Sequence, residues 1–201
     1  MFDRQAQNLL QPLVQALART FYKRGVSANQ VTIAGFLVGM LGALMICQGA
    51  FMLGLAAIWL SRLMDALDGA LARLSENTDA GGFLDISLDF VFYASIPLAF
   101  ALQKPADHAL PAAVLLASFV GTGSTFLAYA VIAAKRGLTS LDFPNKSFFY
   151  LGGLTEAGET LAVFSLMCIW PEAFSLLAYG FAALCAITTV MRIWWAWIAF
   201  R

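Results

Sequence analysis

Apolar runs of membrane-spanning length set the terms for this chain. They fall at about Val31–Ala50, Met52–Leu74, Gly82–Gln103, Leu110–Ala134, Leu154–Trp170 and Glu172–Phe200. A bilayer core about 30 Å thick takes about 20 helical residues, and a helix satisfies its own backbone groups in lipid. Composition points the same way. The chain is 61% hydrophobic and only 12% charged, against about 25% charged in an ordinary soluble domain. The expected fold is all-α and integral to the membrane. Six transmembrane helices occupy residues 31–200, preceded by an N-terminal interfacial amphipathic helix over residues 2–24, in a single domain spanning 1–201.

The N-terminal segment does not read as a signal peptide, because Asp3, Arg4, Gln5, Gln7 and Asn8 precede any apolar run. Phe2, Leu9, Leu10, Leu13, Val14, Leu17 and Phe21 recur at helical spacing, which suits a helix lying in the interface, bent at Pro12. Six spans put both termini on one side. Of the twelve Lys and Arg residues, only Lys104 falls on the other, so the positive-inside rule makes the terminal side cytoplasmic. Trp194, Trp195 and Trp197 fit an interfacial aromatic belt. A net charge of zero gives no basic patch for nucleic acid. Cys47, Cys168 and Cys185 sit in apolar runs without metal-ligand spacing and read as small packing residues. His108 falls in a short polar link, Lys104–Ala109, and reads as solvated.

Against this background the stretch Met64–Phe90 stands out. Asp65 and Asp68 are three residues apart, Asp85 and Asp89 four apart, so each pair shares a helix face. One Asp at the centre of a membrane helix costs about 2.5–3.5 kcal/mol, and four unpaired would cost on the order of 10 kcal/mol. The acids must therefore lie near the cytoplasmic interface, be neutralised, or both. Oxygen-only donors suit a hard cation such as Mg²⁺ or Mn²⁺. Asp65, Asp68, Gly69 and Ala72 form one stripe that is polar and small where a packing helix would be apolar. Arg73 follows, within reach of a phosphate or an acid. Gly81 and Gly82 let the chain turn so that the second pair can face the first. Four carboxylates on two facing helices can hold two divalent ions, which clamp a diphosphate, and one left partly free can take a proton from an attacking hydroxyl.

These residues resemble the signature of the CDP-alcohol phosphotransferase (class I CDP-alcohol phosphatidyltransferase) family, D-x2-D-G-x2-A-R-x8-G-x3-D-x3-D. Asp65, Asp68, Gly69, Ala72, Arg73, Gly81, Asp85 and Asp89 match it, with seven rather than eight residues between Arg73 and Gly81. The shortening lies in the turn between helices. The resemblance implies a membrane enzyme, usually dimeric, that moves a substituted phosphate from a CDP-linked donor, usually CDP-diacylglycerol, to an alcohol with release of CMP. It makes Asp65, Asp68 and Asp85 ligands of two divalent ions, Mg²⁺ or Mn²⁺. Asp89 becomes the base and a further metal contact, and Gly69, Ala72 and Arg73 line the CDP site. The expected setting is a bacterial inner membrane, with the charge asymmetry placing the site at its cytoplasmic face.

Ser27, Asn29 and Thr32 resemble the family's S/T-P-N-x-x-T stretch, with Ala28 in place of Pro. They are either a helix cap or a contact near the nucleotide. Glu156 and Glu159 either complement a helix dipole or line the polar cavity. Lys135, Arg136 and Lys146 either anchor the cytoplasmic face or bind a phosphorylated acceptor. Members that use phosphorylated acceptors often carry an Arg two residues after a Tyr at the end of span four, and here Tyr129 is followed by Val131. Glycerol 3-phosphate is the first choice of acceptor; serine, inositol or its phosphate, phosphatidylglycerol and choline stay open. An ion-coupled transporter would set its acids near the midplane on discontinuous helices. A noncatalytic scaffold would tolerate a missing acid, and all four are present.

Overall fold

The computed structural model describes residues 2–75, 78–137 and 155–201, and among them every regular element is helical. The order is α1 (Phe2–Lys23), α2 (Ala28–Cys47), α3 (Phe51–Ala72), α4 (Asp79–Gln103), α5 (Pro105–Lys135), α6 (Ala157–Ile169), a 3-10 turn (Pro171–Ala173) and α7 (Phe174–Phe200). The chain forms two compact units, residues 1–105 and 106–201.

In the first unit α2 packs along α3 and α4, and α1 packs on α3. Small residues make the close approach possible, as between membrane helices generally. A Cβ added at Gly42 would meet Ala57 Cβ at 3.0 Å and the Gly54 carbonyl oxygen at 3.1 Å. α1 runs unbroken through Pro12. It docks by Val14, Ala18 and Phe21 against Val31, Leu67, Ala70 and Leu71, while Leu13 and Leu17 of the same apolar set stay exposed. Gly25, at φ +75°, turns the chain out of α1. Ser27 then caps α2 with a reciprocal box: its Oγ accepts from Gln30 N at 3.3 Å, and Gln30 Oε1 accepts from Ser27 N at 3.0 Å. α4 starts on Thr78, whose Oγ1 accepts from Gly81 N at 3.1 Å.

The second unit is held by aromatic contacts. Phe119 of α5 lies 6.3 Å from Phe164 of α6 and 6.2 Å from Phe181 of α7, ring centre to ring centre. The expected polar link at Lys104–Ala109 does not exist as a link, which corrects the reading of His108. Pro105 opens α5 directly, a position where its missing N–H costs nothing. His108 is thereby carried inside, 4% exposed, its ring 4.7 Å from that of Phe174. Cys168 and Cys185 are buried as packing residues.

Among the described residues, four helices are long and apolar enough to cross a membrane: Ala28–Cys47, Asp79–Gln103, Pro105–Lys135 and Pro171–Phe200. α3 is as long as a span at 22 residues but carries Arg62, Asp65 and Asp68. α6 is 13 residues long as described. The chain is a membrane protein with an all-helical fold.

Candidate active site

The acid pairs arise locally and meet through packing. On α3 a three-residue step aligns Asp65 and Asp68; on α4 a four-residue step aligns Asp85 and Asp89. The packing of α2, α3 and α4 then brings one carboxylate oxygen from each of Asp65, Asp68 and Asp85 within 4.8 Å of one another. Asp68 is 5% exposed, and its Oδ2 is buried with no hydrogen-bond donor among the described residues. A buried carboxylate oxygen without a donor is costly unless a cation stands beside it. The three oxygens are hard donors of the kind Mg²⁺ and Mn²⁺ take. The residues therefore fit a divalent cation.

Asp89 lies outside that triangle. Its Oδ1 accepts from Arg62 Nη1 at 2.7 Å. The same nitrogen stands 3.5 Å from Asp65 Oδ1, so one guanidinium joins an acid of each helix. In the sequence Arg62 looks like one more cytoplasmic charge. The available signal was its position three residues before Asp65, on the acid face of α3. Arg192 reads the same way in the sequence, yet it is half-buried on α7, and its Nη1 donates to the Thr122 carbonyl oxygen of α5 at 3.0 Å.

Beside the triangle opens a cavity of about 490 Å³, within the range of small-molecule sites. All five residues expected at the CDP site line it: Asn29, Thr32, Gly69, Ala72 and Arg73. Asp68 and Asp85 line it too, so acids and cavity are continuous. Asn29 is not the cap of α2; that is Ser27. A Cβ at Gly69 would meet only Arg73 Nη1, at 3.7 Å, which leaves room for a ligand at the backbone. Gly81 is a close approach: a Cβ there would meet Asn29 Oδ1 at 2.9 Å.

Of the residues considered for an acceptor, the described ones, Lys135, Arg136, Glu156 and Glu159, lie in the second unit. Glu156 stands at the N-cap of α6, and its N–H donates to Glu159 Oε2 at 3.1 Å. Arg136 Nη2 donates to the Phe200 carbonyl oxygen at 2.6 Å. Lys135 ends α5 and is exposed. Lys146 lies outside the described residues.

Residues 26–200 match the family model described as CDP-alcohol phosphatidyltransferase. The chain is 45% identical over 201 residues to the inner membrane protein YnjF of Escherichia coli K12, covering 100% of this chain and 98% of that protein. It is 28% identical over 186 residues to an archaetidylinositol phosphate synthase of Pyrococcus horikoshii, covering 92% and 90%. Among solved structures it resembles the Mycobacterium tuberculosis phosphatidylinositol phosphate synthase PgsA1. The complex of that enzyme with manganese and citrate gives a TM-score of 0.66 at 26% identity, over 92% of this chain and 88% of that one. The form with CDP-DAG bound gives 0.67 at 24% identity, over 92% and 94%, and bears on the fold alone.

Proposed function

This chain belongs to the CDP-alcohol phosphatidyltransferase family, and on that premise we propose that it transfers a phosphatidyl group from CDP-diacylglycerol to an alcohol, releasing CMP. It is a transferase of phospholipid synthesis that works with a divalent cation. The observation that carries the specific reading is the continuity of the acid triangle with the cavity lined by Gly69, Ala72 and Arg73.

Asp65, Asp68 and Asp85, with Asp89 as a further contact, would hold two divalent ions, Mg²⁺ or Mn²⁺. When bound, such ions neutralise the diphosphate and stabilise negative charge on the departing phosphate. Gly69 and Ala72 let the nucleotide approach the α3 backbone, Arg73 donates to a phosphate, and Asn29 and Thr32 bound the pocket from α2. The acceptor oxygen attacks the phosphorus that bears the diacylglycerol. The new P–O bond forms as the bond to the CMP phosphate breaks, and CMP leaves with the bridging oxygen. The hydroxyl proton goes to a carboxylate oxygen of Asp89.

The bilayer is crossed by six helices, with α1 in the cytoplasmic interface and the site open to the cytoplasm of a bacterial inner membrane; the charge asymmetry and the inner-membrane relative support this. The active form is a homodimer. Two acceptor readings stand. Glycerol 3-phosphate is consistent with the small size of the chain. An inositol phosphate is favoured by the likeness to the archaetidylinositol phosphate synthase and to PgsA1, a phosphatidylinositol phosphate synthase.

The test is direct. The purified protein in detergent is incubated with labelled CDP-diacylglycerol, Mg²⁺ or Mn²⁺, and a panel of alcohols. CMP release and the lipid product are followed by mass spectrometry. A single acceptor supporting metal-dependent CMP release identifies the reaction. No release with any acceptor, in a preparation that binds Mn²⁺, sinks it.

A further inference from the structure

The acid cup contains a cation of its own. The Arg62 side chain is 12% exposed, and its Nη1 touches Asp89 at 2.7 Å and Asp65 at 3.5 Å. Nη2 donates to Ser61 Oγ at 3.3 Å, and Cζ stands 4.0 Å from the centre of the Phe92 ring. Groups from α3 and α4 thus fix the guanidinium on several sides. A cation this desolvated persists where carboxylates and a ring face replace its water. Metal binding and proton transfer as derived above need no arginine at this place.

Asp65 is contested. Arg62 reaches its Oδ1, yet the residue also belongs to the triangle with Asp68 and Asp85. A divalent cation in the triangle and Arg62 compete for it. Asp89, by contrast, meets Arg62 at the length of a charge-assisted hydrogen bond and is not part of the triangle.

Building on the phosphatidyltransferase reading, we infer that Arg62 is a positioning residue with two effects. It stands in for the divalent cation on Asp65 until that cation arrives. It also fixes Asp89 by Oδ1, which orients the other oxygen toward the proton of the acceptor hydroxyl. A lysine cannot serve equally, because a single ammonium lacks the planar fork that reaches Asp89 and Ser61 together.

The experiment compares full-length wild type, Arg62→Gln and Arg62→Lys in detergent. Mn²⁺ affinity is read by electron paramagnetic resonance without lipid substrate. Thermal unfolding is followed with no metal and with saturating Mn²⁺, and kcat and KM are measured with CDP-diacylglycerol. In Arg62→Gln, Mn²⁺ binds about tenfold tighter, because the competing charge beside Asp65 and Asp89 is gone. The metal-free Tm falls by about 4 °C and most of the loss is recovered with Mn²⁺. The kcat falls about 100-fold with donor KM within about threefold of wild type. Arg62→Lys brings Mn²⁺ affinity and metal-free Tm back toward wild type but not kcat. Unchanged or weaker Mn²⁺ binding in Arg62→Gln, or a Tm deficit that persists at saturating Mn²⁺, overturns the stand-in effect. Wild-type kcat in that variant overturns the positioning of Asp89. If the wild type turns over no CDP-linked donor, the functional reading fails by itself, and the affinity and Tm comparisons still decide what Arg62 does.

Discussion

Gly39 of α2 lies against the ring of Phe92 of α4 so closely that a Cβ there would stand 2.6 Å from Cδ2. Phe92 is fully buried and carries the Arg62 guanidinium on its face. A hydrogen in place of a side chain on α2 thus sets the position of the ring beneath the ion pair of the candidate site. Gly39→Ala forces Phe92 to shift and overpacks the unit by about 1–3 kcal/mol. Thermal unfolding in detergent should show a Tm lower by several degrees, together with reduced turnover from the displaced Arg62. A variant with unchanged Tm and turnover would show that the ring has room to move.

Asp68 is the most buried of the four acids, and its Oδ2 accepts no bond among the described residues. Asp68→Asn removes a ligand charge, so Mn²⁺ should no longer raise the unfolding temperature. A wild-type site at 100 times Kd gains about 2.7 kcal/mol from the ion. Chelation by EDTA should lower the wild-type Tm and leave that of the variant unchanged. Equal Mn²⁺ stabilisation of both proteins would remove Asp68 from the ligand set.

Asp89→Asn keeps the size of the side chain and its contact with Arg62 but loses the proton acceptor. Turnover should fall by about 10²–10⁴-fold. Binding of CDP-diacylglycerol, measured by microscale thermophoresis, should stay within a few-fold of wild type. Near wild-type turnover would require a different base.

Gly81 approaches Asn29 and Thr78 at the mouth of the cavity, with a Cβ position 2.9 Å from Asn29 Oδ1 and 3.1 Å from Thr78 Oγ1. Gly81→Ala must push Asn29 into the cavity or loosen the cap of α4, the latter worth about 1 kcal/mol. The first outcome appears as a raised KM for the donor at unchanged Tm, the second as a lowered Tm. Thr78→Ala separates them, because it loosens the cap without touching Asn29.

Glu159 accepts from the N–H of Glu156 at the start of α6. Glutamine accepts the same bond, so Glu159→Gln should keep both stability and acceptor KM, whereas Glu159→Ala should lose about 1 kcal/mol. A tenfold rise in acceptor KM in the glutamine variant, at wild-type Tm, would instead place the carboxylate in the acceptor site.

Much of the site could be read from one stretch because helical spacing is local. Asp65, Asp68, Gly69 and Ala72 share a face whatever the rest of the chain does, and the cavity is lined on that face. Asn29 and Thr32, far off in sequence, came within reach only through the likeness of a short motif; nothing local marks a residue on α2 as a neighbour of α3. Ser27 and Asn29 were equal candidates for the cap, and the φ and ψ of Ser27, −84° and 153°, decide between them. The burial of His108 is hidden in the sequence because Pro105 in a polar run reads as a link, although proline also begins helices.

Local periodicity and apolar length, by themselves, determined that this chain is helical, resides in a membrane and presents two acid pairs and a small-residue stripe. They act over one or two helical turns, where spacing alone dictates which side chains share a face. Tertiary packing alone decided that Asp85 joins Asp65 and Asp68 while Asp89 turns to Arg62, since partners on different helices are chosen by how closely backbones approach. Glycines at positions such as 39 and 42 permit that approach, and its outcome is a distance between helices that no single helix encodes.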